Sequence, residues 1–144
     1  MLKKKVKIGD LGVLSAITNS YERINETAPF KYLMGDQAAY RAYSDFHIKN
    51  GLPIMTSDKF DSLIESIEKN GYDDKRIILV QDDNLIYDGQ HRATVLAFLK
   101  GLDFRISVLE VVVITKRQII KQILKFILPK SITRKYLDKR FGRS

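Results

Sequence analysis

Two short apolar runs that lie between two helix-forming segments constrain the fold most. The runs are RIILV, at residues 76–80, and LIY, at residues 85–87, and only the polar residues 81–84 (QDDN) separate them. Two apolar runs joined by a short turn-forming segment are typical of a β-hairpin. The sequence therefore predicts that residues 76–80 and 85–87 are paired strands.

The segments on either side of this hairpin carry apolar residues at helical spacing. These residues are Phe60, Leu63, Ile64 and Ile67 in the first segment, and Ala93, Leu96, Ala97 and Leu99 in the second. We expect Thr56 or Ser57 to cap the first helix and Asn70-Gly71 to end it. The second helix is predicted to begin near Gln90 and to end at Gly101.

The rest of the chain adds one helix and two strands to this core. A first strand is predicted within residues 3–14, a helix over about residues 36–49, and a last strand, rich in β-branched residues, within residues 103–114. An amphipathic helix is predicted over residues 116–130, and a short terminal helix after it. The predicted fold class is α+β, with a domain over residues 1–114 and a helical extension over residues 115–144.

Charge is distributed very unevenly between these two parts. Residues 115–144 hold ten Lys or Arg and one acid, a net charge of +9, whereas the other 114 residues hold 15 basic and 16 acidic side chains, a net charge of −1. A cationic tail on a nearly neutral domain predicts an acidic partner, either nucleic acid or an anionic membrane surface. The competing interpretation, which we rank first, is that the amphipathic helix simply packs on the sheet and leaves its lysines in water.

Composition excludes several classes of site. The chain has no cysteine, which excludes disulfides, thiolate metal sites and cysteine nucleophiles and fits a reducing compartment. The apolar run near the start is broken by two glycines and an aspartate, unlike a signal peptide. No apolar run reaches the roughly 20 residues that span a bilayer. We therefore expect a cytoplasmic protein.

The chemically richest segment is YDGQHRAT, where the second predicted strand becomes a helix. The first N–H groups of a helix have no partners within it, and the helix dipole makes this end an anion site. Gly89 removes the side chain that would block a ligand, and Arg92 offers a planar fork to phosphate oxygens. His91 can donate a hydrogen bond or transfer a proton near neutral pH.

Several interpretations of this segment remain open. Asp88 can cap the helix, orient His91 or hold a metal ion. Alternatively, Asp88 and Gly89 form only a turn, and His91 and Arg92 are solvated.

The whole stretch from residue 57 to residue 112 resembles the ParB/sulfiredoxin superfamily. In that superfamily a helix that ends in glycine leads to a hairpin, then to a Gly-x-His-Arg or Gly-Glu-Arg-Arg motif that opens a helix, and then to a last strand. The resemblance implies a small mixed β-sheet with flanking helices. It also implies that Gly89, Gln90, His91 and Arg92 contact the phosphates of a nucleotide.

The motif departs from the best-known branches of this superfamily. Sulfiredoxins have a catalytic cysteine where this chain has Gln90, so repair of sulfinic acid is excluded. Partitioning ParB proteins typically have Glu-Arg-Arg and continue into a helix-turn-helix domain, for which about 30 residues leave no room. Asp88-Gly89-Gln90-His91-Arg92 is closer to the Asp-Gly-His-His-Arg of free-serine kinases. It matches the Asp-Gly-Gln-His-Arg of longer proteins linked to DNA phosphorothioate modification, and small ParB-like proteins encoded among surface-polysaccharide genes are also similar.

The resemblance implies a nucleotide, ATP, ADP or CTP, together with Mg²⁺. It leaves open whether the protein is an enzyme. The enzymatic version is phosphotransfer or nucleotide hydrolysis, with Asp88 and His91 as catalytic residues and Asp88 holding the metal. The alternative is a non-catalytic, nucleotide-gated module whose basic tail, residues 115–144, binds DNA, RNA or a membrane. A nuclease is the weaker alternative. The oligomeric state stays open.

Phosphotransfer also needs a general base, and the sequence does not single one out. Glu65, Glu68, Asp36 and Asp45 are the candidates, and each is expected to be a solvated surface acid instead.

The aromatic-rich segment at residues 31–51 offers Arg41 or His47 to a substrate pocket. The preferred interpretation is that Tyr32, Tyr40, Tyr43 and Phe46 pack a satellite core and that His47 lies on the surface.

Overall fold

A computed structural model describes residues 2–112 of the chain, and residues 2–111 of these belong to one compact unit. The helices are α1 (Ala28–Leu33), α2 (Gln37–Lys49), α3 (Ser57–Asn70) and α4 (Gln90–Lys100). The strands are β1 (Leu2–Lys7), β2 (Gly12–Leu14), β3 (Tyr21–Arg23), β4 (Ile78–Val80), β5 (Ile86–Asp88) and β6 (Arg105–Glu110). Single 3-10 turns occupy Ile8–Asp10, Ile24–Glu26, Asp74–Arg76 and Asp82–Asn84.

Four strands form a mixed sheet in the order β1-β6-β4-β5. Strand β6 runs antiparallel to β1, with Leu2 opposite Glu110 and Lys7 opposite Arg105, and parallel to β4. Strand β5 is antiparallel to β4, whereas β2 and β3 form a separate two-stranded sheet. Within residues 2–112, the prediction of an α+β fold with a small mixed sheet and flanking helices is therefore confirmed. The predicted helices within residues 116–144 lie outside the described residues.

One continuous core joins the sheet to the helices. Fully buried side chains come from α3, β4, α4 and β6, and from the turns after β1 and β3: Phe60, Ile78, Val80, Val95, Leu96, Val108, Ile8, Leu11 and Ile24. The predicted apolar faces of α3 and α4 contribute as expected, with Leu63, Ile64 and Leu99 half-buried against the core. Each buried side chain of this size contributes roughly 1.5–3 kcal/mol of transfer free energy, so the helices are fixed mainly by packing.

The ends of the helices follow the expected capping chemistry. The hydroxyl of Thr56 accepts a hydrogen bond from the Lys59 N–H at 3.3 Å, and Gly71, at φ +73°, donates its N–H to Ile67 O at 2.8 Å. Asp36 caps α2 by accepting from the Ala39 N–H at 3.1 Å. The predicted starts and stops of these two helices are therefore confirmed.

The hairpin is confirmed, but its strands begin later than predicted. Arg76, the first residue of the predicted strand, belongs to a 3-10 turn, and the paired strands are Ile78–Val80 and Ile86–Asp88. The connecting turn needs left-handed backbone at Asp83 (φ 62°) and Asn84 (φ 60°), which short polar side chains tolerate. Strand β5 consequently runs through Asp88, one residue past the predicted end at Tyr87.

The prediction of a separate aromatic core is wrong. Tyr40 is 2% exposed and belongs to the main core, where its ring stacks on Phe60 at 5.4 Å between centroids. Tyr32 and Tyr43 are half-buried against the same core. The aromatic segment therefore forms one wall of the domain instead of a satellite cluster.

Among residues 2–112, no helix is long and apolar enough to cross a membrane.

Candidate functional site

An open cleft of about 710 Å³ lies at the N-terminus of α4. Its lining includes the whole segment from Asp88 to Arg92, the ends of β4 and β5, and side chains from the segments before α3 and β4: Met55, Lys75, Arg76, Ile77, Leu79, Ile86 and Tyr87. The five sequence-predicted site residues therefore lie together on one cleft. Their shared position follows from the strand–helix junction, which turns the chain at Gly89.

Gly89 is required at this junction for two reasons. Its φ of +107° is a left-handed conformation that other residues rarely adopt. A Cβ atom on Gly89 would also lie 3.0 Å from Ile78 Cγ1 and 3.1 Å from an Arg92 Nη atom. Gly89 is the N-cap residue of α4, and no side chain makes the cap hydrogen bond there. The first backbone N–H groups, at the positive end of the helix dipole, therefore have no side-chain cap.

Two contacts hold the guanidinium of Arg92 at the junction between β5 and α4. One Nη atom donates to the carbonyl oxygen of Arg76, and the other lies 3.3 Å from Asp88 Oδ2. The Arg92 side chain is 19% exposed, whereas that of Asp88 is 66% exposed. These contacts place the guanidinium beside the first turn of α4, where an arginine fork suits phosphate oxygens.

The cleft carries a positive balance of charge. Lys75, Arg76 and Arg92 line it, and Asp88 is the single carboxylate among its described lining residues. Cations beside a helix N-terminus add to the field of the helix dipole and attract anions. The electrostatics therefore favour a phosphate or another oxyanion.

His91 lies on the boundary between the cleft and the core. Its Nε2 atom is 3.1 Å from the hydroxyl of Tyr40, and its ring packs edge-on against Phe60 at 4.9 Å between centroids. Burial, with a smaller contribution from the nearby His47, lowers the pKa of His91 to about 4. His91 is therefore neutral at pH 7, and the interpretation of His91 as a solvated residue is wrong.

The hydrogen bond to Tyr40 assigns the tautomer of His91. Tyr40 donates its hydroxyl hydrogen to the carbonyl oxygen of Met55 at 2.6 Å. The Tyr40 oxygen then accepts from His91, so the proton of the neutral imidazole resides on Nε2. Nδ1 has no hydrogen-bond partner among residues 2–112. A lone pair suited to accept a proton or a hydrogen bond is thereby left on a residue that lines the cleft.

Asp88 neither caps α4 nor orients His91, which were two of the roles considered for it. It does not cap α4, because Gly89 is the N-cap residue, and its carboxylate contacts Arg92 instead of His91. The residue that orients His91 is Tyr40. Asp88 Oδ2 contacts the guanidinium, and the carboxylate is otherwise largely in solvent.

The other acidic candidates lie away from the cleft. Glu65, Glu68 and Asp45 are exposed on helix surfaces, and the Asp36 carboxylate caps α2. None of the four lines the cleft, so the expectation that they are surface acids fits their positions.

Arg41 and His47 do not reach the cleft either. Arg41 lines a separate hollow of about 430 Å³ beside Tyr32 and Tyr40. The prediction that His47 is a surface residue is wrong, because His47 is 9% exposed and its Nδ1 lies 3.2 Å from Pro53 O. Burial lowers the pKa of His47.

The sequence did not identify four residues at or beside the cleft, which are Tyr40, Met55, Lys75 and Arg76. The adjacent cations Lys75 and Arg76 stand at the start of the predicted hairpin, and two neighbouring positive charges at that point were a signal that the sequence offered. Tyr40 precedes His91 by 51 residues, and no local pattern links the two.

Within residues 2–112, no group of three or more His, Cys, Asp or Glu residues is arranged to hold a metal ion. Comparison of the chain with protein-family models, with curated proteins and with solved structures gave no match.

Proposed function

We propose that the protein binds a nucleotide in the cleft at the N-terminus of α4, with the phosphates on the backbone of residues 89–92. The observation that carries this proposal is the junction itself. Gly89 leaves the first turn of α4 without a side-chain cap, and Arg92 is fixed beside that turn by Arg76 and Asp88. A helix N-terminus with an adjacent, oriented guanidinium suits a phosphate group.

The size and lining of the cleft support a nucleotide over a free phosphate. A volume of about 710 Å³ lies within the range typical of small-molecule pockets. The wall includes Met55, Leu63, Ile77, Leu79 and Ile86 beside the cations. Such a wall offers apolar surface for a base or ribose at one part of the cleft and charge for the phosphates at another.

Mg²⁺ fits this arrangement as a companion of the phosphates. Protein sites usually hold Mg²⁺ through one or two carboxylates together with phosphate oxygens and water. Asp88 is a single carboxylate with most of its surface in solvent, so it can serve as one ligand. The metal would offset phosphate charge, and Arg92 would contribute the remaining cationic contact.

An enzymatic role, phosphotransfer or nucleotide hydrolysis, is the first elaboration of this proposal. Neutral His91 lines the cleft, with Nδ1 available to accept a proton from an attacking hydroxyl or water. Tyr40 would keep that tautomer in place. The non-catalytic, nucleotide-gated module remains the alternative, and it predicts binding without turnover.

A thermal-shift panel with ATP, ADP, CTP and GTP, with and without Mg²⁺, tests the binding proposal. A ligand at about 100 times its Kd adds about 2.7 kcal/mol of stability, or roughly 10 °C in Tm for a domain of this size. We expect this shift for at least one nucleotide in the wild type and a much smaller one in Arg92→Ala. Each variant is compared with its own ligand-free Tm.

Lys100→Ala is the matched control, because it removes one cation from the other end of the same helix. It should keep the full nucleotide shift. No shift with any nucleotide, or equal shifts in both variants, would contradict the proposal. Nucleotide consumption that is lost in His91→Gln while the thermal shift persists would support the enzyme, whereas binding without consumption would favour the gated module.

A further inference from the structure

Alternate residues of β1 place three lysines on the face of the sheet that points away from the core. Side chains along a strand alternate between the two faces. Val6 is 9% exposed and belongs to the core, so its face is the inner one. Lys3, Lys5 and Lys7 therefore project from the outer face, where Lys3 and Lys5 are exposed and Lys7 is half-buried.

Strand β6 adds a fourth cation to the same face. Arg105 is exposed and is the register partner of Lys7, and side chains of directly opposite residues share a face. We call Lys3, Lys5, Lys7 and Arg105 the outer basic face. Like charges directly opposite each other destabilise a sheet, so the Lys7–Arg105 pair has an electrostatic cost that a bound anion would remove.

Within the described part of the chain, none of the four cations of this face forms an ion pair. The ion pairs among residues 2–112 join Lys4 to Glu110, at 3.2 Å, and Arg92 to Asp88. Lys4 occupies the inner face of β1, between the positions of Lys3 and Lys5. Among the lysines of β1, Lys4 is thus the one with a carboxylate partner, and it lies on the opposite face from Lys3, Lys5 and Lys7.

We propose that the outer basic face binds the phosphate backbone of duplex DNA. Alternate residues of a strand lie about 6.8 Å apart, so the lysines of β1 form a straight row of positive charge. Duplex DNA carries one negative charge per roughly 1.7 Å of its axis and therefore attracts such a row strongly. Such contacts are independent of base sequence.

The composition of these strands favours a duplex over the other anionic polymers and surfaces. Single-stranded nucleic acid is usually held by exposed aromatic side chains that stack on the bases. Neither β1 (LKKKVK) nor β6 (RISVLE) contains an aromatic residue. Membrane-surface elements combine cations with several Trp, Phe or Leu anchors on the opposite face. On the opposite face of β1, Val6 is buried in the core, Lys4 is paired with Glu110, and Leu2 is the single exposed apolar side chain.

A second explanation for lysines on β1 is protection of a sheet edge. Strand β1 is at one end of the sheet, and lysines on an edge strand discourage pairing with other chains. This explanation predicts self-association when the lysines are removed and no change in DNA binding. The two explanations are therefore separable in one set of variants.

Fluorescence anisotropy of a labelled duplex of about 20 base pairs, measured with the full chain between 50 and 200 mM salt, tests the proposal. The test variant is K3Q/K5Q/K7Q, and the matched control is K49Q/K59Q/K69Q, which removes three exposed lysines from α2 and α3. Each phosphate contact contributes about 0.9 to the slope of log K against log salt, so the test variant should lose about 2.7 of that slope. The control should retain the wild-type slope.

Equal losses of affinity in both variants would show that only net charge matters and would overturn the proposal. Absence of duplex binding by the wild type at 50 mM salt would also overturn it. So would a test variant that self-associates on size exclusion while binding DNA normally, or one that loses affinity for anionic vesicles but not for the duplex. Unchanged circular dichroism and Tm confirm that each variant is folded. The outcome is independent of nucleotide binding, because the duplex is measured without nucleotide.

Discussion

The burial of His91 predicts a specific loss of stability in acid. His91 has a pKa of about 4 in the folded protein, against about 6.5 in an unfolded chain. Between these two values the unfolded state binds a proton that the folded state does not. The contribution of His91 is therefore fully present above pH 6.5 and is lost as the pH falls toward 4.

The size of this loss follows from the shift. A pKa lowered from 6.5 to about 4 corresponds to up to about 3 kcal/mol, of which roughly 2.5 kcal/mol is lost by pH 4.5. Urea unfolding of the wild type and of His91→Gln at several pH values between 7 and 4.5 isolates it, because other titrating groups are common to both proteins. We expect the stability difference between the two to move by about 2 kcal/mol or more in favour of His91→Gln as the pH falls.

Two observations would refute this reasoning. One is a stability difference that does not depend on pH. The other is an NMR titration that places the pKa of His91 near 6.5. His47→Gln is the control, because it removes the other histidine and should retain the acid-dependent loss that His91 causes.

Two further predictions concern the residues that shape the junction. Gly89→Ala should lower the free energy of unfolding by about 1–3 kcal/mol, because the new Cβ combines a strained φ with a close approach to Ile78. Gly101→Ala is the control in the same urea assay, since it shares the positive φ but meets no atom within 4 Å; equal losses in the two would contradict the steric part of the argument. Tyr40→Phe should cost about 1–3 kcal/mol, because buried polar atoms lose a partner. Without the Tyr40 hydroxyl, the His91 proton should no longer be held on Nε2, and the imidazole ¹⁵N chemical shifts should change. Unchanged shifts would show that Tyr40 does not set the tautomer.

Local patterns in the sequence were sufficient for the elements that position the candidate site. The apolar face of α3, its Thr56 cap and its stop at Gly71 all depend on residues close in sequence, and so does the start of α4 at Gln90. The strands β2 (GVL) and β3 (YER) were not predicted. The equally short strands β4 and β5 were visible as two apolar runs on either side of a turn, whereas YER offers no apolar run to pair with GVL. Helix α1 was not predicted because six residues are too few to show a helical period.

Contacts between distant parts of the chain were beyond local patterns. The pairing of Tyr40 with His91 and the burial of His47 depend on how α2 packs against α3 and α4. The sequence suggested a separate cluster because it shows several aromatic residues in α2. It does not show that Tyr40 of α2 packs on Phe60 of α3. The sequence therefore identified residues 88–92 as one group. The burial, tautomer and pKa of His91 could be found only from the tertiary structure.

The register of β1 against β6 has a consequence for how the protein is made. β1 is synthesised before its hydrogen-bonding partner, Arg105–Glu110, which follows about a hundred residues later. At about 5–20 residues per second, the ribosome needs roughly 5–20 s to supply that partner. During this interval β1 has no β6 with which to pair, whereas β4 and β5 are close in sequence and form their hairpin as soon as both are made. Pairing of β1 with β6 is thus a long-range contact that forms only after the hairpin residues are available, and long-range strand pairing of this kind slows folding.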